Sequence, residues 1–338
     1  MDMHSFLLVF WIGVAGLSLL LYVVLDGFDL GVGILSLVAC DEDRRGLMMA
    51  SLSSVWDANE TWLVLLGGVL FGAFPPVYAA LLQGLYIPVI VMLFALIMRG
   101  VAFEFRHASG RKWLWNFTFG LGSLGAAVSQ GVILGALIQG WPTEAGNYVQ
   151  SGWHWLTPFT LLTALGVVLG YALMGAGWLI LKSTGEMQDR AYQRGFWLLM
   201  GTLATGVLVL ALTPLQNAHI AARWTGSSAL PYALAGGVAV FAALLTIWAY
   251  LKRHEYWPFL GTLLLFTASF TGLVGSLYPY AVMPGLTWNA AAASTGTQLF
   301  MLVGILPLIP IMLIYNGYQY LVFSGKVDGV AYGEDHSG

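Results

Sequence analysis

Long apolar runs separated by short polar turns dominate this chain. A membrane crossing takes ~20 mostly apolar residues. Nine runs meet that length, at roughly 5–38, 47–72, 77–98, 113–139, 156–181, 195–213, 231–251, 258–280 and 297–323. Pro75-Pro76, Trp141-Pro142, Pro214 and Tyr278-Pro279 mark breaks, because proline lacks the N–H that continues a helix. The predicted fold is all-α and integral to the membrane. Residues 1–325 form one transmembrane domain of nine helices, and residues 326–338 form a short polar tail. No fixed-period repeat or low-complexity stretch interrupts the pattern.

The polar punctuation is asymmetric. Every Lys and Arg except Arg223 follows an odd-numbered run, from Arg44 and Arg45 to Lys326. Cytoplasmic loops carry the excess of basic residues. The expected N-terminus is therefore periplasmic and the C-terminus cytoplasmic. The start, MDMHSFLLVF, lacks a basic region and a small-residue cleavage site, so it reads as the first span rather than a signal peptide. A bacterial inner membrane is the simplest compartment.

Composition supports this class. Of 338 residues, 59% are hydrophobic and 9% charged, against about 25% charged in soluble domains. The net charge of −3 adds little, since the charges are segregated. A single cysteine, Cys40, excludes an intrachain disulfide and a CxxC site. The histidines settle another question, since haem iron takes an axial His, Met, Cys or Tyr ligand. His4, His154 and His219 fall at the outer edge, His107 and His254 in inner loops, and His336 in the tail. None lies deep in a span, and the methionines are scattered like core filler. The chain is expected to bind no haem of its own and no metal. No nucleophile–base set, phosphate loop or nucleic-acid patch is present.

Four carboxylates stand out against the apolar background. Asp26 and Asp29 lie in LYVVLDGFDLGVGILSLV, and Asp57 and Glu60 in SSVWDANETWLVLLGGVLF. A charge near the bilayer centre costs ~2.5–3.5 kcal/mol on insertion scales, so such groups face a protein interior or a water path. Each pair is spaced i,i+3, which puts both members on one helix face. Asp57 and Glu60 are expected about 10–13 residues into the second span, near mid-membrane. Proton or ion handling is the sharp reading; a hydrogen-bonded brace for helix packing is the bland one. In RGVAFEFRHASGRKW, Arg99 and Arg106 read as basic residues at an inner span end, snorkelling to head groups. Glu104 between them could serve as an antenna for protons. Gln130 and Gln139 read as interhelical hydrogen-bonding groups.

LDGFDLGVG at 25–33, VWDANETWL at 55–63 and RGVAFEFR at 99–106 closely resemble subunit II of the cytochrome bd-type quinol oxidases. The short loops and compact length resemble the cyanide-insensitive branch. The resemblance runs along the whole chain and is most specific in the first 110 residues. It implies two four-helix bundles plus one peripheral helix. It also implies a haem-free subunit of a terminal oxidase that reduces dioxygen to water with quinol electrons. Haem b and haem d belong to the larger partner, subunit I; a small single-span accessory subunit joins the complex, and a structural quinone in this subunit is left open. By the same resemblance, Asp57 matches an acid in a proton route from the cytoplasm. Trp62 matches a residue beside an oxygen-access tunnel, Asp26 and Asp29 the acids of the GFD motif, Glu104 an acid of a related path, and Arg99 a charge partner. Glu60 stands where the related pattern carries Gln, and Ala58 where Gly is common.

Two other functions fit the residues. A stand-alone proton-coupled transporter would also use paired intramembrane acids and glycine-broken spans. A pure scaffold would use the acids for packing alone.

Overall fold

The computed structural model describes residues 2–141, 143–144, 147–148, 153–227 and 229–327. All of the expected tail beyond Val327, with His336, lies outside the described residues, as does Pro142. The chain runs α1 (Met3–Leu37), α2 (Glu42–Ala50), α3 (Trp56–Ala73), α4 (Pro75–Gly84), α5 (Tyr86–Ala108) and α6 (Lys112–Gln139). A hairpin of β1 (Thr143–Glu144) and β2 (Asn147–Tyr148) follows, then α7 (Pro158–Lys182), α8 (Gly185–Gln216), α9 (Ala218–Thr225), α10 (Leu230–Leu251) and α11 (Trp257–Leu277). The order ends with β3 (Tyr280–Val282), β4 (Leu286–Thr287), α12 (Trp288–Ala291) and α13 (Thr295–Val322). The strands pair as two small antiparallel hairpins outside the long helices.

Among the described residues, eight helices are long and apolar enough to cross a membrane. The pair α3–α4, bent by 117°, makes a ninth span if counted as one. Two expected boundaries move. The run at 47–72 is not one helix: α2 stops at Ala50 and α3 starts at Trp56. Ser51 and Ser53 turn their hydroxyls back onto the Met48 and Ala50 carbonyls, and such side-chain bonds compete with helix continuation. The run at 77–98 is also divided. Pro75 and Pro76 open α4 instead of ending structure, as proline suits a first helical turn. The crossing helix is α5, shifted toward the C-terminus, so Arg99 and Arg106 lie inside it rather than in a loop. Pro214 sits within α8 and does not end it.

Packing follows the small residues. α1 lies against α3, α6 and α7, and α5 lies against α6. α7, α8, α10 and α11 form a second group, which meets the first where α7 packs on α1 and α6. α13 rests on α3 and α1. At the α1–α7 crossing a Cβ on Gly31 would overlap the Tyr171 carbonyl, and Gly175 faces Gly31 from the other helix. Glycines permit that backbone approach. The outer surface is apolar, with Phe300, Val303 and Ile314 of α13 more than 70% exposed. A surface with few polar backbone groups and many bare apolar side chains suits lipid or another membrane protein.

Candidate functional site

α1 carries Asp26 and Asp29 on the face turned toward α3 and α5. Both are buried, at 0% and 1% exposure. Arg99 of α5 is equally buried, and its Nη2 lies 2.6 Å from Asp26 Oδ1 and 3.0 Å from Glu60 Oε2. One guanidinium nitrogen therefore joins a carboxylate of α1 to a carboxylate of α3. Asn59 of α3, one residue before Glu60, donates from Nδ2 to Asp29 Oδ2 at 2.8 Å. Its Oδ1 accepts from the Tyr320 hydroxyl of α13 at 2.7 Å. Trp62, also wholly buried, donates from Nε1 to Asn316 Oδ1 at 2.7 Å. Asn316 and Tyr320 are one turn apart on α13, and Asn59 and Trp62 one turn apart on α3. Those two bonds register the helices on each other.

The α2–α3 break decides where Asp57 lies. Asp57 is in the first turn of α3 and is exposed, not mid-span in a continuous helix. A carboxylate suits the positive end of a helix dipole there. Glu60, one turn further, is 25% exposed. The charged groups thus form a gradient of burial, from exposed Asp57 through half-buried Glu60 to buried Arg99 and Asp26. Three carboxyls, Asp26, Asp29 and Glu60, surround one guanidinium. The charge of the cluster is set by how many protons those carboxyls hold.

One expectation at the inner end is corrected. Arg106 is fully buried, not snorkelling: its Nε donates to Asn116 Oδ1 at 2.8 Å, and its Nη2 pairs with Glu42 Oε1 at 3.2 Å. Glu104 is exposed on the opposite face of α5 and has no ion pair among the described residues, because both neighbouring arginines turn inward to other acids. Gln130 and Gln139 do bond between helices. Gln139 donates to Gln216 and accepts from Thr157. Gln130 joins Tyr22 and Tyr171. The roles of Tyr22, Tyr171, Asn316 and Tyr320 escaped sequence reasoning. The available signal was spacing: Tyr22 precedes Asp26 by four, and Asn316 precedes Tyr320 by four in an otherwise apolar run.

No group of three or more His, Cys, Asp or Glu that could hold a metal occurs among the described residues. His4, His154, His219 and His254 are half-buried and stand at helix ends or in turns. The His219 ring is engaged by the Tyr278 carbonyl and Arg223, and the His254 ring lies tilted against Trp248.

The family profile for cytochrome bd terminal oxidase subunit II matches residues 7–323. Cytochrome bd-I ubiquinol oxidase subunit 2 of Escherichia coli K12 is 27% identical, over 94% of each chain. Cytochrome bd ubiquinol oxidase subunit 2 of Bacillus subtilis is 29% identical, covering 90% of this chain and 91% of that one. In three dimensions the fold matches a chain in the structure of bd oxidase from Geobacillus thermodenitrificans. The TM-score is 0.76 at 20% identity, covering 94% of this chain and 98% of the other.

Proposed function

This chain belongs to the cytochrome bd terminal oxidase subunit II family, and from that membership we propose that it is the haem-free subunit that braces the haem-bearing subunit I and delivers protons to it from the cytoplasm. It is a multi-pass inner-membrane protein and a component of a quinol oxidase complex. The stand-alone transporter is not favoured, since the match to the oxidase subunit spans nearly the whole chain. Reducing one dioxygen to two waters consumes four electrons and four protons. The haems of the partner subunit supply the electron transfer. The residues here bear on the protons.

The observation that carries the reading is the arginine-centred acid cluster with one open edge. Asp57 is exposed and Asp26 is sealed, with Glu60 and Arg99 between them. A carboxylate on a helix face shared with Val64 and Phe71, which are 73% and 66% exposed, is costly against lipid. That cost supports coverage of α3 by a membrane protein partner. We place the N-terminus in the periplasm on the basic-residue asymmetry, and Asp57 as the group that takes up the proton. Asp26, Asp29 and Glu60 follow it inward, and Arg99 is their counter-charge. Glu104, exposed at the inner end of α5, serves as a surface collector. Trp62 forms a fixed wall beside the path of oxygen. Two four-helix bundles with α13 peripheral, and a single-span accessory subunit, complete the proposed arrangement.

Two measurements test this. Purification of the chain from its native membrane should bring down a larger subunit, with haem bands in the reduced-minus-oxidised spectrum. A colourless preparation that moves a solute would overturn the oxidase role. In the assembled complex, Asp57→Asn is expected to slow oxygen reduction about tenfold or more, or ~1.4 kcal/mol of barrier, with haem content unchanged. Asp57 has no ion pair among the described residues, so a purely structural acid there would leave turnover per haem at the wild-type value. That result would remove Asp57 from the route.

A further inference from the structure

The buried acid cluster has an arm on α13 that the route from Asp57 does not use. Asn59, 0% exposed on α3, is its centre. Nδ2 donates to Asp29 Oδ2 of α1 at 2.8 Å and to the Leu25 carbonyl of the same helix at 3.4 Å. Oδ1 accepts from the Tyr320 hydroxyl of α13 at 2.7 Å. The other carboxyl oxygen, Asp29 Oδ1, has no hydrogen-bond partner among the described residues. Three side chains therefore form an unbroken line of hydrogen bonds from α13 through α3 to Asp29.

The line has a sense. A phenol carries a single hydrogen, and a primary amide has a donor end and an acceptor end. With Nδ2 toward α1, both amide hydrogens and the tyrosine hydrogen meet an acceptor. With the amide turned over, Oδ1 would face the Leu25 carbonyl, and the Tyr320 hydrogen would lose its acceptor, which is costly. Asp29 Oδ2 is therefore always met by a donor. A hydrogen on Oδ2 would oppose the amide hydrogen, so a proton held by Asp29 belongs on Oδ1. The Tyr320 ring is seated independently of its hydroxyl. It lies edge-on to Trp178 and Phe28, with centroids 6.1 and 6.5 Å away. The Trp62–Asn316 bond, one turn along, fixes the register of α13.

We propose that Tyr320 is a positioning residue for Asp29: acting through the Asn59 amide, it reserves Oδ2 for a donated hydrogen bond and leaves Oδ1 to carry the proton. The inference rests on the proton reading above, since it matters to turnover only if Asp29 handles protons. A plain brace between α1, α3 and α13 would use the same bonds and affect stability alone.

The test uses the assembled oxidase, with oxygen consumption expressed per haem. Tyr320→Phe keeps the ring and removes the one hydroxyl. Expected is a fall in kcat of roughly 2- to 10-fold, the effect of one hydrogen bond, with KM for quinol unchanged. The solvent deuterium isotope effect on kcat should rise. In the redox-difference infrared spectrum, the carbonyl band of protonated Asp29 is the one that Asp29→Asn abolishes. It should move to higher frequency in Tyr320→Phe, because Oδ2 then loses its fixed donor. Asn59→Leu keeps the side-chain size and removes both bonds. It should shift the band further, and it carries the test if Tyr320→Phe does not assemble. Unchanged kcat overturns the proposal, and so does an unshifted band. Lower thermal stability with both unchanged is the result of a brace. Asp29→Asn separates the two levels. If Asp29→Asn turns over normally, or if no band depends on it, the proton reading of Asp29 itself fails. If Asp29→Asn is slow while Tyr320→Phe is normal, only the role of Tyr320 fails.

Discussion

Arg99→Leu is expected to deplete the membrane of assembled, haem-containing complex. Arg99 is 0% exposed, and it is the counter-charge for fully buried Asp26 and for Glu60. Removing one partner of a buried ion pair typically costs about 3–5 kcal/mol, because the other charge is left without compensation. Asp26 bears most of that cost; Glu60, 25% exposed, can turn toward solvent or a partner. The loss should spread through the site, since Asn59 ties Asp29 to Tyr320 one residue away from Glu60. Haem per milligram of membrane protein, with thermal inactivation of the remaining complex, reads the effect. Arg99→Lys keeps the charge but not the planar fork, and should recover part of the yield. Wild-type accumulation of Arg99→Leu would mean that the pair does not hold the helices together.

Gly31→Ala should be nearly as damaging, although it adds a single methyl group. That methyl would overlap the Tyr171 carbonyl oxygen and lie 2.8 Å from the Gly175 nitrogen. Both obstacles are backbone, so no side chain can swing aside and α1 must move away from α7. Overpacking of this kind costs about 1–3 kcal/mol or more. The shift would also displace Asp29, two residues away, and disturb Tyr171. Gly13→Ala on the same helix is the control, because a Cβ there meets nothing within 4 Å. Expected is a marked fall in assembled complex for Gly31→Ala and none for Gly13→Ala. Equal yields would show that the crossing is looser than its geometry indicates.

The helical membrane character was legible in hydropathy, because lipid forces every spanning backbone to satisfy its own hydrogen bonds. The unusual status of Asp26, Asp29, Asp57 and Glu60 was legible for the same reason: few acids occur where water is absent. What hydropathy could not read was breaks made by side chains. Ser51 and Ser53 are small and mildly polar, and pass unnoticed in an apolar window. Their hydroxyls nonetheless compete with the helix, and the resulting gap brings Asp57 to the first turn of α3. By sequence Arg99 and Arg106 are basic residues at a span end, which ordinarily reach for head groups. Both turn inward because carboxylates on other helices await them.

The sequence alone determined a polytopic helical membrane protein, its kinship, and the acids that stand out in its apolar runs, since all three depend on residue type and local order. The tertiary structure decided which acid is sealed, which is exposed and which shares the guanidinium. It also decided that Gln130 joins Tyr22 of α1 to Tyr171 of α7. These depend on distances between residues as far apart as Asn59 and Tyr320, or Tyr22 and Gln130. Such contacts are set by how glycine-lined helices close on one another, and no local pattern encodes the rotation at which they meet.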